Sequence, residues 1–231
     1  MGRVKLHVQW NVKSALEFYN KAYKINPNNP ETLVQLAFCA HIMGDHSRAV
    51  DYSKKACDLD PFSLMNIWYA STVQWASLEF DVLLANANRL IDLEPNFFGG
   101  RSWKGYALLG LGNYEHAIEE LELANKLYHS LDSCTDLAVG YGAMGDKKKV
   151  REILDRMSEL KLSGIEGNYY FGVVHVALEQ FDEAHEYFDR ALSEREGLLP
   201  FFPIPVKHMK LNKFLEMPRT KLLIEKIGFT W

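Results

Sequence analysis

The chain has 231 residues, 48% of them apolar and 24% charged, with a formal net charge of −4. That length supports one sizeable core or a stack of small units, and the acidic balance speaks against direct nucleic-acid binding, which needs Lys and Arg to neutralise phosphates. No apolar run is long enough to cross a membrane, and the start, MGRVKLHVQWNVKSALEF, lacks the apolar stretch and cleavage site of a secretion signal.

The predicted elements follow a period. Three helix-ending segments, INPNN, LDPFS and LEPNF, place Pro27, Pro61 and Pro95 at successive 34-residue steps, and Ala15 to Ala49 and Ala22 to Ala56 keep that step. Two periods on, these alanines recur as Ala117 and Ala124, and 67 residues later as Ala184 and Ala191. A partial repeat at 2–29 opens with the short helix Gly2–Trp10, which nothing caps; either a further domain precedes it or a partner covers that edge. Full repeats follow at 30–63, 64–97, 98–130, 131–163 and 164–197, so that residues 1–199 form one array.

Inside a repeat the residue types explain themselves. An apolar helix, Leu33 to Met43 in the second repeat, meets Gly44 and then a second helix from about Ser47 to Leu59. Gly44, Gly112 and Gly145 supply the left-handed residue that ends a helix without a Cβ penalty. Small residues (Ala37, Ser71, Gly105, Ala138, Gly172) are expected where first helices cross second ones, opposite Ala49, Ala117 and Ala184. Leu59, Leu93, Leu127 and Leu160 are expected to fill the contact with the next repeat. The third repeat departs from the pattern with Leu78, Leu83 and Leu90, the fourth with Arg101 and Lys104, and the fifth with Lys147 and Val150.

Residues 200–231 leave the period. Pro218 and Gly228 bracket a last helix whose Leu222, Leu223 and Ile227 are expected to cover the end of the stack. Six Lys or Arg against two Glu between Lys207 and Lys226 read as a solvated cap or, in sharper form, as a basic patch for an acidic partner.

Chemistry is sparse. No GxSxG, HExxH, P-loop or dinucleotide glycine motif is present. GLGNYEHA (Gly110–Ala117) follows a helix and lacks a Lys, so it is a turn. His41, Asp45 and His46 are near in sequence, but with the Gly44 turn between them the rings need not converge; His175 and His185 lie on successive helices. Glu115, Glu119, Glu120 and Glu122 read as a water-facing stripe. Cys39, Cys57 and Cys134 have no CxxC spacing and are expected to be buried thiols in a reducing cytoplasm. No catalytic residue, metal or cofactor is predicted.

This spacing of Pro, Gly and Ala resembles the tetratricopeptide repeat over nearly the whole chain. The resemblance implies an all-α fold, an α-α superhelix (TPR solenoid) with a C-terminal capping helix, whose first helices line a concave face. The inward positions of that family fall here on Val34, Phe38, His41, Trp68, Thr72, Trp75, Ser102, Tyr106, Leu109, Val139, Tyr169 and Val173, with Trp68, Trp75 and Tyr106 as the expected anchors. Arrays that clamp acidic chaperone tails carry Lys and Asn where this chain has Val34, Phe38, Trp68 and Thr72, so that clamp is absent. The two ends, GRVKLHVQWN and EREGLLPFF with the last proline-led helix, resemble the C-terminal repeat region of bacterial multidomain regulators, in which the array follows a cyclase, kinase, TolB-like or winged-helix domain. Here MPRT stands for that group's acidic DPRF-like segment. The expected function is a non-catalytic protein-interaction module, regulatory or scaffolding, that binds a peptide or helix in an aromatic groove. Two alternatives stand beside it: a sensor of a small molecule or short peptide, and self-association through the N-terminal half-repeat.

Overall fold

The computed structural model describes residues 12–162 and 167–228; the expected helix at Gly2–Trp10 lies outside them. Those residues are helical with no strand among them. After α1 (Val12–Ile25) come five pairs: α2 (Pro30–Ile42) with α3 (His46–Leu59), α4 (Leu64–Ala76) with α5 (Phe80–Leu93), α6 (Phe98–Gly110) with α7 (Tyr114–Leu127), α8 (Leu131–Ala143) with α9 (Lys147–Leu162), and α10 (Asn168–Ala177) with α11 (Phe181–Glu194). A 3-10 turn at Leu199–Phe201 leads to α12 (Pro203–His208), α13 (Asn212–Glu216) and α14 (Pro218–Ile227).

Local chemistry sets the helix starts. Asn29 accepts from the Thr32 amide at 2.8 Å just ahead of Pro30, Asp45 accepts from Arg48 at 3.2 Å, and Ser63 accepts from Asn66 at 3.3 Å. Each cap satisfies an amide that the first helical turn leaves unpaired. The turns inside the pairs are equally regular. Gly44 donates to the His41 carbonyl at 2.9 Å and Asp45 to that of Ala40 at 2.9 Å, and the turns at Gly112 and Gly145 repeat this bonding.

The third repeat lacks that glycine, and Leu78 takes its left-handed place at φ 61°. An L-residue there is strained by about 1–2 kcal/mol, and Leu78 is 49% exposed, so its side chain contributes little packing in return. Leu78→Gly is therefore expected to raise stability by roughly 0.5–1 kcal/mol once the greater freedom of unfolded glycine is deducted, read as a higher urea midpoint at unchanged slope. Glu179 (φ 59°) stands in the same position of the sixth repeat.

The helices form two compact units, one running to Trp103 and the other from Lys104 to Gly228. In the first, α2 packs on α1, α3 and α4, and α4 on α3 and α5. In the second, α8 packs on α7, α9 and α10, and α10 on α9 and α11. Contact with the partner and the next pair, and little beyond, is what builds a stack of repeats. The small residues sit at the crossings. Ala37, Ser71, Ala138, Ala49, Ala117 and Ala184 are fully buried, and a β-carbon at Gly172 would come within 2.5 Å of the Phe188 ring.

Two expectations need correction. Leu59 and Leu127, the last residues of α3 and α7, are each 41% exposed instead of filling the next contact, and Leu93 and Leu160 are only half-buried. On α14, Leu223 and Ile227 are buried against the fold, whereas Leu222 faces outward at 49% exposure. The departures in the fourth and fifth repeats are absorbed: Lys104 pairs with Glu120 at 2.6 Å, Lys147 pairs with Glu179 at 2.5 Å, and Val150 is fully buried.

Candidate functional site

The first helices of the pairs present the face on which the sequence places ligand contacts. In the first unit this face is aromatic. Phe38 meets Tyr69 edge-on at 5.9 Å, Trp68 lies 5.4 Å from Tyr69 and 6.3 Å from Phe97, and Trp75 packs on Trp103 at 5.7 Å. Gly99 makes room for the indole of Trp68, since a β-carbon there would come within 2.9 Å of its Nε1.

Burial sorts the expected groove residues. Val34, Phe38, His41, Trp75, Ser102, Tyr106, Leu109, Val139, Tyr169 and Val173 are all buried, and only Trp68 and Thr72 remain half-open. Two of the three expected anchors, Trp75 and Tyr106, are thus corrected to packed positions. Trp75 is closed off by Trp103; Tyr106 donates its hydroxyl to Asp136 at 2.7 Å and carries the His208 ring 5.5 Å away. Burial, then the Asp136 carboxylate, push the Tyr106 phenol well above its ordinary range. Met65, three residues before Trp68 and 48% exposed, belongs to the same open strip of α4. Its place one helical turn before Trp68 was readable in the sequence.

In the second unit a strap of the chain's own C-terminal residues lies on this face. The α12 helix contacts both α8 and α10, and Met209 packs so closely on Gly142 that a β-carbon there would come within 2.9 Å of its sulfur. Nothing in the repeat pattern announces this, because residues 199–211 carry no period. The turn at Met209–Leu211 nevertheless has the bonding of a repeat turn, with Lys210 left-handed at φ 58° and donating to the Lys207 carbonyl at 2.9 Å, although no glycine marks it in the sequence.

Two polar clusters have the composition of reactive sites. The rings of His41 and His46, which the sequence did not require to converge, do meet: the reversal at Gly44 brings their Nδ1 atoms within 3.2 Å. Two imidazole nitrogens at that distance share one proton, and the described residues hold no set of three or more His, Cys, Asp or Glu placed for a metal. Across the α7–α8 turn, His129 Nδ1 lies 3.0 Å from Asn125 Oδ1 and 3.7 Å from Cys134 Sγ. The Cys134 thiol is fully buried and its pKa is raised by that burial, so it neither ionises readily nor meets a substrate. Burial likewise pushes Cys39 to about 12 and Cys57 to about 11. All three cysteines are free buried thiols.

The other candidates separate. His175 bonds Gln180 at 2.9 Å, and His185 bonds Thr220 at 2.8 Å. Glu115, Glu119 and Glu122 face solvent. Of the six C-terminal basic residues, Lys210 reaches the Tyr114 hydroxyl at 2.8 Å, Arg219 pairs with Asp189 at 2.7 Å, and Lys213 pairs with Glu179.

Comparison with known proteins agrees with this geometry. Profiles of the tetratricopeptide repeat match residues 18–51 and 101–128. The chain carries tetratricopeptide repeats. Among solved structures, MamA (41-end) from Desulfovibrio magneticus RS-1 is similar at 21% identity and TM-score 0.57, over 71% of this chain and 93% of that one. A thermophilic TPR protein from Thermus thermophilus is similar at 19% identity and TM-score 0.55, over 93% and 95%. What these share with the chain is the fold. No curated protein matches it.

Proposed function

We propose that the chain is a non-catalytic protein-interaction module that holds an apolar peptide or helix on the open strip of α4. The observation that carries this reading is Trp68: of the expected groove residues only it and Thr72 stay half-open, and Met65 beside it is exposed. A large amphipathic ring framed by packed neighbours is the usual form of a binding hot spot, and an apolar stripe on an incoming helix is its natural complement. The repeats support the reading, since stacked helix pairs present extended binding surfaces. A regulatory setting, with the array attached to an output domain, rests on the resemblance of the chain's two ends to bacterial multidomain regulators.

The test is selection of helical peptides against the full chain, followed by affinity measurement on Trp68→Ala. Ligands with apolar residues at helical spacing are expected to lose roughly 30-fold or more in affinity, a hot-spot effect of about 2 kcal/mol, with helicity unchanged. Equal affinity for the variant excludes this strip. Trp75→Ala is not an equivalent probe, because it opens a void against Trp103.

A further inference from the structure

The strap on the second unit keeps a repeat-like turn but lies across the stack in a way a further layer would not. A next helix pair would rest on α10 and α11 alone. Instead α12 crosses α8 as well as α10, and His208 reaches Tyr106 on α6. At six residues it is far shorter than the 13-residue first helices α2, α4, α6 and α8. Pro203 and Pro205 remove two of its backbone donors, so its side chains do the holding. Ile204, Val206 and Met209 are at most 4% exposed, while Lys207 points to water.

The strap's inner side chains are buried, with Leu199, Phe202, Ile204 and Val206 at most 1% exposed, and its fastening is weak only at its outer edge. It begins just past Arg195 and turns at Lys210, both left-handed non-glycine residues at φ 54° and 58°. Its outer ties are surface contacts: Lys213 to Glu179, Arg219 to Asp189 and Lys210 to Tyr114. Each exposed tie of this kind shifts the closed population by at most about fivefold, so losing two of them loosens the strap measurably.

We infer that the first-helix face of the second unit is a binding site for a short, proline-anchored aliphatic segment of a partner protein, and that the chain's own residues 199–211 occupy it as a displaceable internal ligand. The ligand chemistry is read from the occupant: alternating proline and aliphatic residues and the His208 ring against the face, with lysines only at outward positions. Binding in trans is then reduced by the fraction of time the strap is closed. The site is separate from the Trp68 strip.

The experiment uses the full chain and a labelled synthetic peptide of residues 199–211, followed by fluorescence anisotropy. The probe protein is Lys210→Ala/Lys213→Ala; both lysines lie at the surface, so the helical signal is expected to stay at the wild-type level. Hydrogen exchange of the 199–211 amides is expected to quicken in this variant, and the peptide to bind it at least tenfold more tightly than wild type. A peptide carrying Ile204→Asp and Val206→Asp is expected not to bind. Unchanged exchange, or faster exchange without peptide binding, overturns the inference by making the strap a fixed part of the core. Dimers of the variant that exchange straps and exclude the peptide overturn it too, by assigning the face to a second copy. Adding Trp68→Ala is expected to leave peptide binding unchanged, so the two sites stand or fall separately.

Discussion

Phe188→Ala is expected to cost about 4 kcal/mol, within the range for emptying a large aromatic site, and so to take a large share of the roughly 5–15 kcal/mol that holds a domain folded. The ring is fully buried. It fills the hollow left by Gly172 on α10, packs at a tilt on Phe202 of the strap at 4.7 Å, and lies 6.1 Å from Phe214. One side chain thus joins a helix crossing to the strap. Gly172→Ala alone is expected to cost about 1–3 kcal/mol, since its methyl group would overlap the ring at 2.5 Å. In the Phe188→Ala background the same change is expected to reverse sign, because the overlap has gone and alanine favours the helix by about 1 kcal/mol over glycine. A double-mutant cycle on amide-exchange stability of the second unit measures this. Additive effects would show that Gly172 and Phe188 do not hold each other.

Acidification from neutrality to about pH 4 is expected to weaken the second unit. Burial lowers the His208 pKa from the ordinary 6.5 to about 4. Between those values the unfolded chain takes up a proton that the folded chain refuses, so stability falls as pH drops, by about 1.4 kcal/mol per pH unit at the steepest. Above pH 6.5 both states are neutral at this ring, and below about 4 both are charged, so the slope vanishes on either side. His175 and His185 are also lowered by burial and act in the same direction. Glu179, held down by hydrogen bonds from Lys147 and Lys213, adds a loss of stability below the ordinary carboxylate range. Asp132, raised by burial, opposes them: it binds its proton first in the folded state and gains stability as pH falls. Urea midpoints from pH 7 to 4 in wild type and His208→Gln check the assignment. The variant is expected to lose the largest part of the slope between 6.5 and 4, and an unchanged slope would show that the strap tolerates a charged ring.

Much of the fold was legible in the residues because it is local. Pro27, Pro61 and Pro95 mark helix ends, Gly44, Gly112 and Gly145 mark turns, and Ala49, Ala117 and Ala184 mark crossings; each acts through its own backbone or one neighbouring helix. The candidate face was legible only as a strip of residue types. A period identifies which positions look toward a face but carries nothing about what lies on it. Trp75 therefore read like Trp68, and Tyr106 read as an open anchor.

By itself, the sequence determined that this protein is a row of paired helices, since helix caps, left-handed turns and small crossing residues depend on contacts a few residues away or one period apart. Only the tertiary structure decided which aromatic ring stays open and where the C-terminal segment goes. Trp75 is closed by Trp103, 28 residues later, and Tyr106 by His208, 102 residues later. Contacts at such separations follow from the shapes of whole surfaces as they meet, and no local preference of the chain encodes them.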